Sequence, residues 1–318
     1  AWQREVFTPE DLAALHQSIK AKRAATDGSS AEVAFYDLTA QARFIPALYS
    51  QRYEYYLEVG SRIAAQFPGA QTILDAGCGI GLLTTFYAQR CPDATVVGID
   101  RSPASVTRAR QRAQELGLSN VRFECLDLEQ HELSGRYDLI VATHTLLQAE
   151  QDPGLPSRDW QDFTRALDAQ AQSEFEQRTG VGLRLDRLRN VLNGNGRMIL
   201  FEKTRQLARR IPFQRALAAR GFALHLPPEP IRYRSIEEVT DDGPLYVTGL
   251  VSPSSALSWN EAPEPDGAPP LHVQQLRSVR VDPEQPLYEN HDASAQQAWL
   301  NLPAKQVVHH VTRKEADG

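Results

Sequence analysis

The sequence predicts an α/β fold: a mostly parallel, seven-stranded sheet with helices on both faces, an N-terminal helical cover and a small C-terminal extension. Three observations carry this reading. From residue 71, short runs rich in β-branched residues alternate with helix-length segments. The first run ends in the glycine-rich turn DAGCGIG (75–81), from which a helix starts at once. Carboxylates (Asp75, Asp100, Asp127) end successive runs, where a parallel sheet offers its ligand edge.

The elements follow in order. Residues 9–26 and 31–66 carry helical signals, with an aromatic stripe at Tyr53, Tyr55, Tyr56, Leu57, Val59 and Ile63, and Gly69 ends them. QTILDAGC is the first strand, GLLTTFYAQR a helix, and ATVVGID the second strand. SPASVTRARQRAQELG has Ser102 to cap a helix, Pro103 in its first turn and Gly117 at its end. VRFECLDLE, YDLIVATHT and GRMILFEKT are strands three to five. PFQRALAARG reads as a helix opening at Pro212 and closing at Gly221, and ALHLPPEPIRYRS and PLYVTGLVS as two closing strands.

Two stretches exceed this pattern. Fifty residues separate Thr145 from Gly196, far more than a crossover needs. They read as a polar loop (150–160) and helices 162–178 and 181–193, an insertion (146–180) placed as a lid or a substrate-binding element at the ligand edge. After Val251, EAPEPDGAPP (261–270) reads as a linker, followed by strand, helix and strand signals. The expected organisation is a cover over 1–66, a core over 67–251 and an extension over 252–318. The extension is expected to cover a sheet edge or to form a subunit contact, the latter implying a homodimer.

Composition narrows the class. No apolar run approaches the ~20 residues of a membrane helix, and the N-terminus lacks a signal-peptide core. Three cysteines, Cys78, Cys91 and Cys125, have no CxxC spacing, so a reducing cytoplasm is expected and a disulfide framework is not. The net charge of −6 argues against a nucleic-acid-binding surface. The charge is uneven: from Lys203 to Arg234, eight basic residues face the single acid Glu229, a local +7 that leaves −13 elsewhere. The preferred reading of that run is a solvated surface; an anionic small-molecule acceptor near Lys203 and Arg205, or a protein or RNA docking face, are the sharper ones.

The chemistry concentrates at the strand ends. Alternate glycines Gly77, Gly79 and Gly81 allow a tight turn and let a ligand approach bare backbone, at a helix N-terminus that favours an anionic group. Asp100, nineteen residues after Gly81, can accept both hydroxyls of a ribose, and Asp127 an exocyclic adenine amine. A dinucleotide turn needs GxGxxG, but Leu82 stands at its third glycine. His309-His310 is adjacent on a strand-like run, so its rings point apart, and no metal site is expected.

In combination these motifs resemble the class I S-adenosylmethionine-dependent methyltransferases, over about residues 30–251. DAGCGIG matches the family's acid and alternate glycines, GIDRSPASVTRAR its ribose-binding segment and FECLDLE its adenine segment. YDLIVATHTLL matches the fourth strand, and LRNVLNGNGRMILFEK the approach to the fifth. The resemblance implies a Rossmann-like sheet and S-adenosyl-L-methionine as cofactor. It implies that Gly77, Gly79 and Gly81 contact the methionine half, and that Asp75 lies near its amino group and sulfonium. Asp100 would hold the ribose with Arg101 and Ser102 beside the adenine, which Asp127 and Leu128 would contact. Thr143 and His144 would open onto cofactor and acceptor. Tyr36, in FYDLTA, resembles a covering tyrosine of small-molecule members and serves equally as core.

Methyl transfer to an activated carbon asks mainly for positioning. A general base is needed only where the acceptor keeps its proton. His144 is the first candidate, since a histidine exchanges protons near neutral pH, and Glu202 the second. No [DNS]-P-P-[YF] follows the fourth strand, no Pro-Cys pair stands there, and no acidic metal cluster is visible. The expected acceptor is therefore a small molecule. A protein or peptide acceptor and a non-catalytic cofactor-binding module are the alternatives.

Overall fold

The computed structural model describes residues 6–24, 30–147, 152–158, 165, 167–235, 238–250 and 257–261. The chain divides into two compact units, Ala1–Gly154 with Ala169–Trp259, and Leu155–Asp168 with Asn260–Gly318. In the second, Ser157 and Arg165 form an isolated antiparallel bridge. Every element below belongs to the first.

The N-terminal third is helical: α1 (Pro9–Ala24), α2 (Ser30–Thr39), α3 (Ile45–Ser50) and α4 (Tyr53–Ala64). Thr8 and Asp11 begin α1 with a reciprocal cap, each backbone N–H donating to the other's side-chain oxygen at 3.3 and 3.2 Å. The expected single run over 31–66 is thus three helices, with breaks at 40–44 and 51–52.

The sheet then forms in alternation: β1 (Thr72–Ala76), α5 (Leu82–Arg90), β2 (Thr95–Asp100), α6 (Pro103–Glu115), β3 (Val121–Cys125) and β4 (Tyr137–Thr143). Helices α7 (Ala169–Thr179) and α8 (Val181–Val191) precede β5 (Leu192–Phe201), and α9 (Leu207–Ala219) follows it. Three antiparallel strands close the sheet: β6 (Phe222–Leu224), β7 (Glu229–Ser235) and β8 (Glu238–Leu250).

The strand order is β3-β2-β1-β4-β5-β8-β6, with β7 also paired to β8. β1 to β5 are parallel. The order reverses between β1 and β4, and there the carboxyl ends of an open α/β sheet leave a crevice. Eight strands, not seven, make the sheet. The run 223–235, expected as one strand, is cut by Pro227 and Pro228, which have no N–H for a ladder.

Helix α9 starts at Leu207, five residues before the expected Pro212, which sits inside it. The fifth strand begins at Leu192, where helix was expected to Asn193. Of the 146–180 insertion, residues 148–151, 159–164 and 166 lie outside the described residues. Its described helix, α7, buries Phe175 and packs on α8 and α9. Residues 262–318 also lie outside them, with the expected strand–helix–strand tail. Leu257 bridges to Leu224, and Trp259 Nε1 donates to Phe222 O at 3.1 Å, so this part of the extension lies against β6.

Strand alternation builds the core. Ile73, Leu139, Val141 and Ile199 share one cluster with Tyr55, Val59 and Ile63 of α4 and Tyr87 of α5. Burying one such side chain is worth roughly 1.5–3 kcal/mol. This anchors α4 beside the crevice, with its aromatic residues close to the ligand edge.

Candidate active site

The turn after β1 is shaped by two glycines. Gly77 has φ +75°, and a Cβ there would stand 1.9 Å from Thr145 Oγ1, so no other side chain fits. Gly79 has φ +53° and nothing within 4 Å of a built Cβ, because it borders open cavity. Asp100 fixes the turn from β2. Its Oδ2 accepts the Gly79 N–H at 2.8 Å and its Oδ1 the Ser102 N–H at 2.9 Å. Burial raises this carboxyl above the ordinary aspartate value, against those two backbone donors.

The cavity so formed runs along the carboxyl ends of β1, β2 and β4. Ten of the thirteen residues expected in the site line it: Tyr36, Asp75, Gly77, Gly79, Asp100, Arg101, Asp127, Leu128, Thr143 and His144. Asp75 is buried at the end of β1 and accepts the Thr84 hydroxyl at 2.6 Å. Burial pushes its carboxyl up to about 7, Thr84 working against the shift and Asp100 with it. Asp127 Oδ1 accepts the Glu129 N–H at 2.8 Å, which orders the loop after β3.

Three expected residues lie off the lining. Gly81 is the N-cap of α5 and faces Ala109 and Phe123. Ser102 is buried as the cap of α6, accepting the Ser105 N–H at 3.1 Å and donating to Asp37 at 2.6 Å. Glu202 is fully buried, and its geometry is not that of a base. Oε1 accepts the N–H groups of Thr145 and Leu146, each at 2.9 Å, and Oε2 that of Leu147 at 3.2 Å. It holds the loop after β4 and turns from the cavity. Burial raises its carboxyl, against those N–H donors and His144.

That loop carries His144 in the left-handed region, φ 52°, unusual for a residue with a side chain. Its N–H donates to Phe201 O at 2.8 Å, and its ring stacks on Tyr55 at 5.3 Å and 18°. Nε2 is buried and lies 3.1 Å from Asp242 Oδ2, without the alignment of a good hydrogen bond. Tyr233 donates its hydroxyl to the same Asp242 oxygen. Burial would raise the Asp242 carboxyl, but His144, Tyr233 and Lys203 together hold it at about 2. With Nε2 turned to a carboxylate, Nδ1 is the nitrogen left to accept a proton.

A second cavity adjoins the first. Tyr36, Tyr49, Arg52, Tyr56 and His144 line both. Sequence reasoning missed Tyr49, Arg52 and Tyr56, treating this region as a helical stripe, although four tyrosines crowd into Tyr49–Tyr56 around one arginine. It also missed Arg184, which lines the cofactor side from α8 and donates to Leu146 O at 2.7 Å and to Glu129. The helical cover is tied to the ligand edge. Glu32 pairs with Arg101 and with Lys22, the latter at 3.5 Å, and Asp37 also accepts the Ala104 N–H at 3.1 Å.

The basic run 203–234 is not a solvated surface throughout. Arg209 and Arg210 are buried, Arg220 is paired with Glu176 and Asp186, and Lys203 lines the second cavity. Asp138, the acid opening β4, works at the opposite end of the sheet, accepting the Gln71 and Thr72 N–H groups at 3.0 Å.

This arrangement coincides with a match to known proteins. Residues 69–211 match a family model described as a methyltransferase domain. Over this segment the chain is similar to methyltransferase domains. Over 73 residues the chain is 47% identical to a malonyl-[acyl-carrier protein] O-methyltransferase of Acetivibrio thermocellus, covering 23% of this chain and 25% of that protein. Over 94 residues it is 43% identical to a trans-aconitate 2-methyltransferase of Deinococcus radiodurans, covering 30% and 34%. Over 77 residues it is 38% identical to a probable (S)-tetrahydroprotoberberine N-methyltransferase of Papaver bracteatum, covering 24% and 22%. The chain thus spans between 22% and 34% of these relatives' lengths.

The residues present fit S-adenosylmethionine, the cofactor that the sequence motifs imply. Open space over Gly79 admits a ligand to bare backbone, and Asp100 is already oriented by two N–H donors at the cavity wall. Among the described residues no cluster of His, Cys, Asp and Glu could hold a metal ion, and no helix is long and apolar enough to cross a membrane.

Proposed function

We propose that the protein transfers a methyl group from S-adenosylmethionine to a small-molecule acceptor by in-line displacement. One observation carries this: the cofactor cavity and a second cavity share His144, Arg52 and three tyrosines, so a donor in one meets an acceptor in the other. When bound, the cofactor supplies a methyl group already activated by its sulfonium. The chain's part is to position it. Asp100 would hold the ribose hydroxyls, Asp127 and Leu128 the adenine, and Gly77, Gly79 and Asp75 the methionine half.

At the seam, His144 is held by Asp242 and by stacking on Tyr55, so its Nδ1 can take a proton from a hydroxyl or amine acceptor. An acceptor already ionised needs no base. The relatives are named for malonyl and aconitate acceptors, and an anionic acceptor fits this chain's second cavity, which Lys203 lines. The free cysteines Cys78, Cys91 and Cys125 suit a reducing cytoplasm. Titration calorimetry with S-adenosylmethionine and S-adenosylhomocysteine tests the cofactor site. Binding of both is expected, and binding of neither would overturn the assignment.

A further inference from the structure

Among the described residues, Arg52 has no ion-pair partner. The cations near it are committed: Lys22 and Arg101 to Glu32, and Arg184 to Glu129. Arg52 forms no such bond, yet it stands where the two cavities meet and lines both. It remains solvent-accessible, so an incoming anion can reach it. The side chains around it are tyrosines, which bring hydroxyls and rings but no formal charge. Burial lowers the guanidinium's pKa, and Tyr56, Tyr55, Tyr233 and Tyr36 raise it further than burial lowers it, so the group stays cationic.

The second cavity continues this chemistry. Lys22, Arg23, Arg52 and Lys203 line it against one acid, Glu32, which Lys22 and Arg101 already engage. Its walls carry Phe35, Tyr36, Tyr49 and Tyr56, with Tyr49 stacked on Tyr56 at 6.2 Å and 24°. Flat apolar walls select a planar body, and a guanidinium fork selects a carboxylate, to which it can donate two parallel hydrogen bonds.

We propose that the second cavity takes an acceptor with a carboxylate on a planar, ring-bearing body, and that Arg52 is the specificity residue that reads its charge. This rests on the reading of that cavity as the acceptor side. A carboxylate could reach Arg52 from the acceptor or from the methionyl end of the cofactor, because Arg52 borders both cavities. The acceptor is favoured because Lys22, Arg23, Lys203 and Phe35 line the second cavity alone, whereas Arg101 and Arg184, the other cations of the first, are paired with Glu32 and Glu129.

Titration calorimetry on the full chain separates the possibilities. The probes are S-adenosylhomocysteine, 5′-methylthioadenosine (which lacks the methionyl carboxylate), 4-hydroxybenzoate and its neutral amide. The benzoate pair is titrated with and without saturating S-adenosylhomocysteine. The wild type is expected to bind the acid at least tenfold more tightly than the amide. Arg52→Gln is expected to cut that preference below twofold, Arg52→Lys to keep part of it, and both to leave S-adenosylhomocysteine affinity within threefold. Equal binding of acid and amide, no binding of the acid, or a preference that survives Arg52→Gln would overturn the proposal. So would a tenfold loss of S-adenosylhomocysteine affinity in Arg52→Gln with methylthioadenosine unaffected, which would give Arg52 to the cofactor. Failure of the wild type to bind S-adenosylhomocysteine would sink the cofactor assignment alone, since the benzoate pair is also judged without it.

Discussion

His144 Nε2 stands 3.1 Å from Asp242 Oδ2, which joins the loop after β4 to the β7–β8 hairpin at the seam of the two cavities. The carboxylate turns Nε2 inward and leaves Nδ1 for a substrate proton. Asp242→Asn is therefore expected to lower kcat about tenfold for a hydroxyl or amine acceptor, short of the roughly 10²–10⁴-fold ascribed to the base itself. S-adenosylhomocysteine affinity should be unchanged. His144→Asn, chosen because asparagine tolerates the left-handed backbone, should lower kcat at least as much and flatten its pH profile. An unaltered profile in both variants would remove His144 from the chemistry.

The same pair predicts an acid-labile contribution to stability. The Asp242 carboxyl is held at about 2 in the folded chain against an ordinary value of 3.8. A depressed folded value stabilises the fold above pH ~4, and the gain is lost as pH falls from about 4 to 2. The shift corresponds to about 2 kcal/mol. Denaturant unfolding of wild type and Asp242→Asn at pH 6 and pH 3 should show their stabilities converging at the lower pH.

Asp75 behaves in the opposite sense. Its carboxyl sits at about 7, above its unfolded value of 3.8. The proton it keeps favours the fold at low pH, and that advantage declines as pH rises from about 4 through 7. A cationic cofactor favours the ionised form, so its binding should expel a proton. Below pH 7, S-adenosylmethionine affinity is expected to fall up to about tenfold per pH unit, more steeply than for the uncharged-sulfur product. Calorimetry in buffers of different ionisation enthalpy counts the proton, and Asp75→Asn should abolish the release.

Gly77 and Gly79 should separate folding from binding. Gly77→Ala places a methyl 1.9 Å from Thr145 Oγ1 and should destabilise the chain by roughly 1–3 kcal/mol, the range for overpacking. Gly79→Ala meets no atom of the chain and should cost only about 1–2 kcal/mol for its left-handed backbone. Its methyl enters the cavity, so cofactor affinity should drop at least tenfold, while thermal unfolding falls less than in Gly77→Ala, which carries the same backbone cost and the clash besides. Equal affinity for wild type and Gly79→Ala would show that the cofactor does not lie over this turn.

Glu202→Gln tests the anchor of the loop. A carboxylate accepts all three N–H groups of Thr145, Leu146 and Leu147, whereas an amide must turn its NH2 toward one of them. A loss of about 1.5–3 kcal/mol in denaturant unfolding is expected, the value of hydrogen bonds to a charged group. Unchanged stability would show that the loop does not depend on this carboxylate.

What the sequence determined by itself is local. DAGCGIG must turn tightly because Gly77, Gly79 and Gly81 adopt positive φ, and Asp100 and Asp127 follow their strands directly, so parallel register alone delivers them to one edge. Ser102 and Pro103 marked the start of α6 by the same local logic. Only the tertiary structure decided the rest. Burial turned Glu202, an apparent base, into the clamp of a neighbouring loop, and Pro227 with Pro228 cut one expected strand into two. Packing of α4 on the sheet brought Arg52 and its tyrosines to the seam, and a hairpin near the end of the core supplied Asp242 to His144. Side-chain period and turn chemistry are written in neighbouring residues. Pairings between distant segments depend on which apolar faces bury together, and that is settled only when the whole sheet closes.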